Sequence, residues 1–248
     1  HRRDANRCWR IVVAAARLPP METSLHQQLK ALYADDTERI EVKLGRFRID
    51  AIVGDELIEI QHGSLAAIRD KIQTLVKDHD VRVVKPIVAT KLLVKRQRKN
   101  GKILERRQSP KRGTLLDIFD ELVYFRRTFP HPRLILEVPL VHVEEWRYPG
   151  HGRRRRRRER DHVVEDQKLI EVAETHMFST ARDLLRLLPK RLPRPFHTGH
   201  VAKKLGVARW IAQRMVYCLR EMGGVEVVGK EGNAILYQRV RKANAKAA

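Results

Sequence analysis

With 248 residues, 42% of them hydrophobic, the chain is long enough for two compact domains and has a globular composition. Its 52 Lys and Arg outnumber 30 Asp and Glu for a formal charge of +22, a field that gathers polyanions and makes nucleic acid the first partner class. No apolar run reaches the roughly 18 residues of a membrane span, and Cys8 and Cys218 stand too far apart for a disulfide framework or a zinc knuckle, so a reducing, cytoplasmic setting is expected.

The charge is unevenly spread, and its partition says more than its total. Residues 1–20 carry +4 and 21–90 carry −2, whereas 91–160 carry +13 and 161–248 carry +7. The plain alternative is a ribosome-like or merely basic housekeeping protein. Because the chain begins with His1, Met21 is a candidate natural start and 1–20 a candidate upstream extension.

From Met21 the period is helical, with Leu25, Leu29, Leu32 and Tyr33 on one face and Thr23 or Ser24 as N-cap. Glu22 falls on that inward face. Three strand-like runs follow at 39–44, 46–53 and 56–61, the last two joined by Gly54-Asp55, a pair suited to a two-residue hairpin turn. Ser64 caps a second helix with a stripe of Leu65, Ile68, Ile72, Leu75 and Val76. Residues 81–89 then read as a buried strand, in which Pro86 marks an edge or an end because proline cannot donate to a ladder. The predicted order is αβββαβ.

Residues 91–113 hold ten basic side chains against Glu105 alone, and Asn100-Gly101 at their centre predicts a hairpin. An amphipathic helix at 114–125 and an apolar strand at 134–142 complete a predicted α/β domain at 21–149. Residues 150–175 read as a basic linker, since Arg153 to Arg158 repel one another. Helices at 180–188, 198–205 and 208–222, then a ribbon of 225–228 and 234–240 with its tip at 229–233, give the order of a winged helix-turn-helix domain at 176–241, followed by a tail at 242–248.

The turn at Gly54-Asp55 sets the register. Val53 pairs with Glu56, so Asp50 falls opposite Glu59, with Gln61 on the same face and Arg48 across from it. Like charges opposed on a sheet repel, and such a face asks for a cation or for solvent. A Mg²⁺ or Mn²⁺ ion needs one or two carboxylates plus water and phosphate oxygens, which Asp50 and Glu59 would offer, with Glu22 as a third donor. Bound there, a metal polarises a phosphate and activates water. On spacing alone, a solvated hairpin explains the pair as well.

In this order, with Glu22, Asp50 and Glu59-Ile60-Gln61 after a short hairpin, the chain resembles the restriction-endonuclease-like superfamily named for its P-D…(D/E)-x-K motif. The resemblance covers about residues 21–90. It implies Asp50 and Glu59 as metal ligands, Glu22 as an auxiliary ligand, and Gln61 at the position of the lysine that orients or activates water. Ile49 stands in place of the proline and Gln61 in place of the lysine, and Lys71 on the next helix is a candidate source of the missing charge. The whole chain also resembles bacterial proteins that join such a core to a winged helix.

The basic elements supply candidate phosphate contacts. Lys95, Arg96, Arg98, Lys99, Lys102, Arg106 and Arg107 line the predicted hairpin, and Lys111 and Arg112 precede a helix N-terminus. In the last domain Arg209, Trp210, Gln213, Arg214 and Tyr217 occupy the non-core face of the third helix, with Lys203 and Lys204 at the turn and Lys230 and Asn233 at the wing. A charge run is also simply a solvated face, and a winged helix also serves protein contacts. The histidines, His197 and His200 included, lack partners at zinc spacing. The leading expectation is Mg²⁺-dependent phosphodiester hydrolysis on DNA. The competing ones are a DNA-binding protein that kept the fold without the chemistry, and an RNA-binding accessory protein.

Overall fold

The computed structural model of the chain describes residues 23–33, 40–150 and 161–240. Glu22, Cys8, the extension at 1–20, the arginine run at 153–158 and the tail at 242–248 lie outside the described residues. Among the described residues no helix is long and apolar enough to cross a membrane.

The first half runs α1 (Ser24–Tyr33), β1 (Ile40–Leu44), β2 (Phe47–Val53), β3 (Glu56–Ile60), α2 (Arg69–Leu75) and β4 (Val81–Val84). On α1 the inward face is Leu25 and Leu29; Leu32 is 59% exposed, whereas Lys30 is 4% exposed. The cap of this helix comes from far away in sequence: the Asp166 carboxylate accepts both the Ser24 backbone N–H at 2.9 Å and the Ser24 hydroxyl. Gly54 holds the left-handed conformation that the two-residue turn requires, and Val53, Ile52 and Ala51 pair with Glu56, Leu57 and Ile58. Ser64 caps a short 3-10 turn before α2, which buries Ile72 and Leu75.

The run predicted as one strand at 81–89 is two. Pro86 interrupts it, and the chain resumes as β5 (Ile87–Arg96), which turns at Asn100-Gly101 into β6 (Ile103–Gln108). Both β4 and β5 run parallel to β7 (Leu134–Pro149). Because β8 (His162–Phe178) covers Leu136 to Pro149 from the other edge, β4 and β5 share one edge of β7, end to end. The β5–β6 hairpin therefore extends the sheet beyond β3 and β4 as a basic arm. Before β7, a capping box of Thr114 and Asp117 opens a 3-10 turn and α3 (Ile118–Phe125).

The expected linker at 150–175 is corrected by β8. Residues 162–178 form a 17-residue strand antiparallel to β7, so the α/β unit ends near 178, not at 149, and β7 is longer than the predicted 134–142. One face of the sheet packs α1 through Leu25, Leu29, Ile58, Ile60 and Val143. The other packs α2 and α3.

The C-terminal unit is α4 (Ala181–Leu185), α5 (Thr198–Leu205), α6 (Arg209–Glu221), β9 (Val225–Glu231) and β10 (Ala234–Arg239). The strands of its ribbon reach Glu231, so Lys230 lies in β9 and the tip is Gly232-Asn233. Phe196 exchanges two backbone hydrogen bonds with Tyr237, a third-strand stub beside the ribbon. The predicted separation of two domains is not seen in the core. Phe119 and Leu122 of α3 and Met215, Cys218 and Leu219 of α6 belong to one continuous apolar cluster.

Candidate functional site

The β2–β3 ladder stops at Ala51 and Ile58, one step before Asp50. In place of the expected pairing with Glu59, the Asp50 carboxylate accepts the Ile60 backbone N–H at 2.8 Å. On the other side Glu41 takes a positive φ of 58°, and the β1–β2 register skips Glu41 and Asp50. The irregularity puts Asp50 against α1, where His26 Nε2 lies 3.4 Å and Lys30 Nζ 3.2 Å from its Oδ1. Lys30 also donates to Glu41 at 2.9 Å, and Glu41 pairs with Arg48.

Glu59, 5% exposed, lies against α2, whereas Asp50 is held by α1, the helix on the other face of the sheet. Lys71 of α2 donates from one ammonium both to the Glu59 carboxylate and to the Arg48 carbonyl. Burial drives the Glu59 pKa up to about 7; Lys71 opposes the rise and the Asp50 charge adds to it. Burial acts upward on Asp50 as well, but hydrogen bonds from His26 and Ile60 and the Lys30 charge outweigh it, and that carboxyl lies below its usual range. Two carboxyls within electrostatic range are thus tuned apart, one firmly ionised and one poised near neutrality.

Gln61 does not join them in the way its register predicts. Its backbone N–H donates to Val84 and its carboxamide to the Ser64 carbonyl at 3.0 Å, which closes the 61–64 loop. Nor does Arg48 stand across from Gln61; it pairs with Lys43 in β1. The loop is pinned from below by buried Lys85, which donates to the carbonyls of His62 and Gly63 and lies 3.3 Å from Glu121. The His62 pKa is lowered by burial, and further by Lys85, Lys91 and His26. Lys30 and His26 escaped the sequence reading, although the four-residue spacing of Glu22, His26 and Lys30 marks one polar stripe on a helix.

Whether the acids fit a Mg²⁺ ion can be judged from their chemistry. Among the described residues no three His, Cys, Asp or Glu side chains converge to hold a metal. Mg²⁺ retains several waters and is commonly held by one or two carboxylates plus substrate phosphates, and here Asp50 is engaged by Lys30, His26 and the Ile60 N–H and Glu59 by Lys71.

Around this cluster the basic residues fall into two groups. Lys95, Arg98, Lys99, Lys102, Arg107, Lys111 and Arg112 are exposed on the arm and the segment after it. Arg96 instead packs on the Trp146 ring and pairs with Glu165, so it builds the arm, whereas Arg106, over the same ring and paired with Glu144, stays exposed. Lys203, Lys204, Arg209, Gln213 and Lys230 are exposed in the C-terminal unit. Arg214, exposed, is bound to Asp120 of α3 at 2.5 Å, and Tyr217 is half-buried between Arg126 and Arg220.

The chain is similar over 221 residues, at 29% identity, to an uncharacterized protein of Treponema pallidum (strain Nichols), covering 88% of this chain and 85% of that one. No solved structure matches it. A family model described as a domain of unknown function, DUF8091, matches residues 23–179, from the start of α1 to just past the end of β8, and leaves the three C-terminal helices and their ribbon outside. The chain belongs to the DUF8091 family.

Proposed function

We propose that the chain is a DNA-binding protein whose Asp50, Glu59 and Lys71 cluster hydrolyses phosphodiesters with Mg²⁺ or Mn²⁺ bound. The observation that carries this reading is Glu59: a carboxyl buried to 5% exposure, poised near neutrality, with Lys71 on one side and Asp50 on the other. A structural ion pair has no need of a second acid within range. That second acid, Asp50, has Lys30 and His26 of α1 on its own carboxylate, so each acid of the pair stands beside a cation into which a phosphate could be drawn.

Asp50 and Glu59 would hold the ion, which when bound supplies a Lewis acid at the phosphate. The ammonium of Lys71, held against Glu59, would supply the charge that the resemblance expects from a lysine at position 61 and stabilise charge gathering on the phosphate oxygens. Burial pushes the Glu59 pKa up to about 7 in the metal-free protein, and a bound ion would hold that carboxyl in its ionised form. Lys30 and His26 position Asp50. The basic arm and the exposed cations of α5, α6 and β9 would hold the DNA backbone, with the stub at Phe196 and the ribbon supporting a winged-helix reading of the C-terminal unit. A cytoplasmic setting accords with this function.

The test is cleavage of single- and double-stranded DNA in Mg²⁺ or Mn²⁺ by wild type, Asp50→Asn and Glu59→Gln. Cleavage lost in both variants with binding retained supports the site. If wild type is inert and no Mn²⁺ binding is seen by calorimetry, the chain is a DNA-binding module whose acids serve ion pairs with Lys71 and Lys30, the second reading. The engaged carboxamide of Gln61 favours that outcome.

A further inference from the structure

At the base of the β9–β10 ribbon a cavity of about 670 Å³ opens between the 190–196 segment and the end of β10. Three cations line it: Lys190, Arg194 and Arg239. Leu192, Phe196 and Val240 form an apolar wall. The single carboxylate of the lining, Glu226, already accepts the Gln238 amide at 2.8 Å.

Arg239 is fixed in place. Its Nη2 donates to the carbonyls of Leu188, at 3.4 Å, and Pro189, at 2.6 Å, and among the described residues the other donors of this guanidinium, which lines the cavity, have no partner. Among the described residues no carboxylate pairs with Lys190, Arg194 or Arg239, whereas Arg82, Arg96, Arg126 and Arg214 each have an acidic partner. Burial, and after it the Arg194 charge, lowers the Arg239 pKa, so the two guanidiniums lie within range of each other. Like charges held together beside an apolar wall are an arrangement that a bound dianion relieves. Guanidinium forks match phosphate oxygens, and the volume falls in the range of about 300–1,000 Å³ typical of small-ligand pockets.

We propose that this cavity binds a phosphate-bearing ligand of mononucleotide size, with the phosphate among Arg194, Arg239 and Lys190 and the sugar or base against Leu192, Phe196 and Val240. The site is separate from Asp50 and Glu59 and stands whether or not that pair is catalytic.

The full chain is titrated by calorimetry with inorganic phosphate, a deoxynucleoside 5′-monophosphate, the phosphate-free deoxynucleoside and a short DNA duplex. Arg194→Gln is the lead variant, because among the described residues Arg194 makes no hydrogen bond or ion pair on which folding depends; unfolding curves check that its stability is unchanged. The monophosphate is expected to bind more tightly than phosphate, and the nucleoside not at all. Arg194→Gln should weaken the monophosphate roughly tenfold or more, with Arg194→Lys in between. If the duplex responds to Arg194→Gln and the monophosphate does not bind, the phosphate source is a nucleic-acid backbone; if only the monophosphate responds, it is a free nucleotide. Equal binding of every phosphate ligand by wild type and Arg194→Gln, or no binding by either, overturns the proposal.

Discussion

Lys71 and Glu59 meet between α2 and β3, where one ammonium bridges the Glu59 carboxylate and the Arg48 carbonyl. The ammonium comes from the helix that follows β3 and meets the more deeply buried of the two acids. The same contact makes the local electrostatics readable by titration and by substitution.

Glu59 should make the metal-free protein less stable at alkaline pH. Its pKa rises from 4.5 to about 7, chiefly through burial. Between those values the folded protein keeps a proton that the unfolded chain has lost, so stability is fully present below pH 4.5 and declines as pH rises toward 7 and beyond. The full shift corresponds to about 3 kcal/mol. In a chelating buffer Glu59→Gln should match wild type near pH 4.5 and exceed it in thermal unfolding above pH 7. Parallel curves across the range would show that the carboxyl is not desolvated.

On the proposed function, Lys71→Met should lower cleavage by about 10²-fold or more while DNA binding stays within a factor of a few, because the ammonium would act on charge that develops at the phosphate. Gln61→Lys in that background should not restore the rate, since the native side chain at 61 is directed to the Ser64 carbonyl. Restoration would show that position 61 reaches the acids after all.

The arm should account for much of the salt dependence of DNA binding. Lys95, Arg98, Lys99 and Lys102 are exposed. Replacing them with Gln should flatten the plot of log affinity against log salt by up to about 0.9 per lost phosphate contact. An unchanged slope would remove the arm from the interface. Arg96→Gln is a poor probe, because Arg96 packs on Trp146 and Glu165.

Much of this was legible in the sequence where a local rule governs it. Gly54-Asp55 specified the hairpin, Pro86 marked a break, and the stripe of Leu65, Ile72 and Leu75 placed α2. β8 was hidden because it is an edge strand. Edge strands bury little on either face, and the charged and apolar residues of 162–178 follow no strict alternation, with three register shifts against β7. The acid pair was found from the hairpin register, but its geometry was not. A positive φ at Glu41 and the skipped pairing at Asp50 depend on Lys30 and His26, which reach the strands from a different element. The union of α3 with α6 was equally invisible, since each reads as an amphipathic helix whose partner no periodicity names.

That union decides which part of α6 is open to a partner, and on the proposed function to DNA. Met215, Cys218 and Leu219 share a core with Phe119 and Leu122, and Cys218 Sγ lies 3.7 Å from the Phe119 carbonyl, so withdrawing the C-terminal half of α6 would expose apolar surface. Arg214 sits at the seam with Asp120, an exposed pair worth about 0–1 kcal/mol. Arg209 and Gln213, nearer the helix N-terminus, remain exposed. Sequence preference should therefore rest on those two: Arg209→Ala or Gln213→Ala should each relax discrimination by about 1–3 kcal/mol where the side chain makes a bidentate base contact. Arg214→Ala should weaken binding evenly across sequences or leave it unchanged. Asp120→Asn frees the guanidinium at little structural cost, so it should tighten binding at low salt by no more than a few-fold. These comparisons are made by competition binding against a randomised duplex pool at two salt concentrations. A loss of discrimination in Arg214→Ala alone would mean that the seam opens on DNA and that Asp120 competes with a base for Arg214.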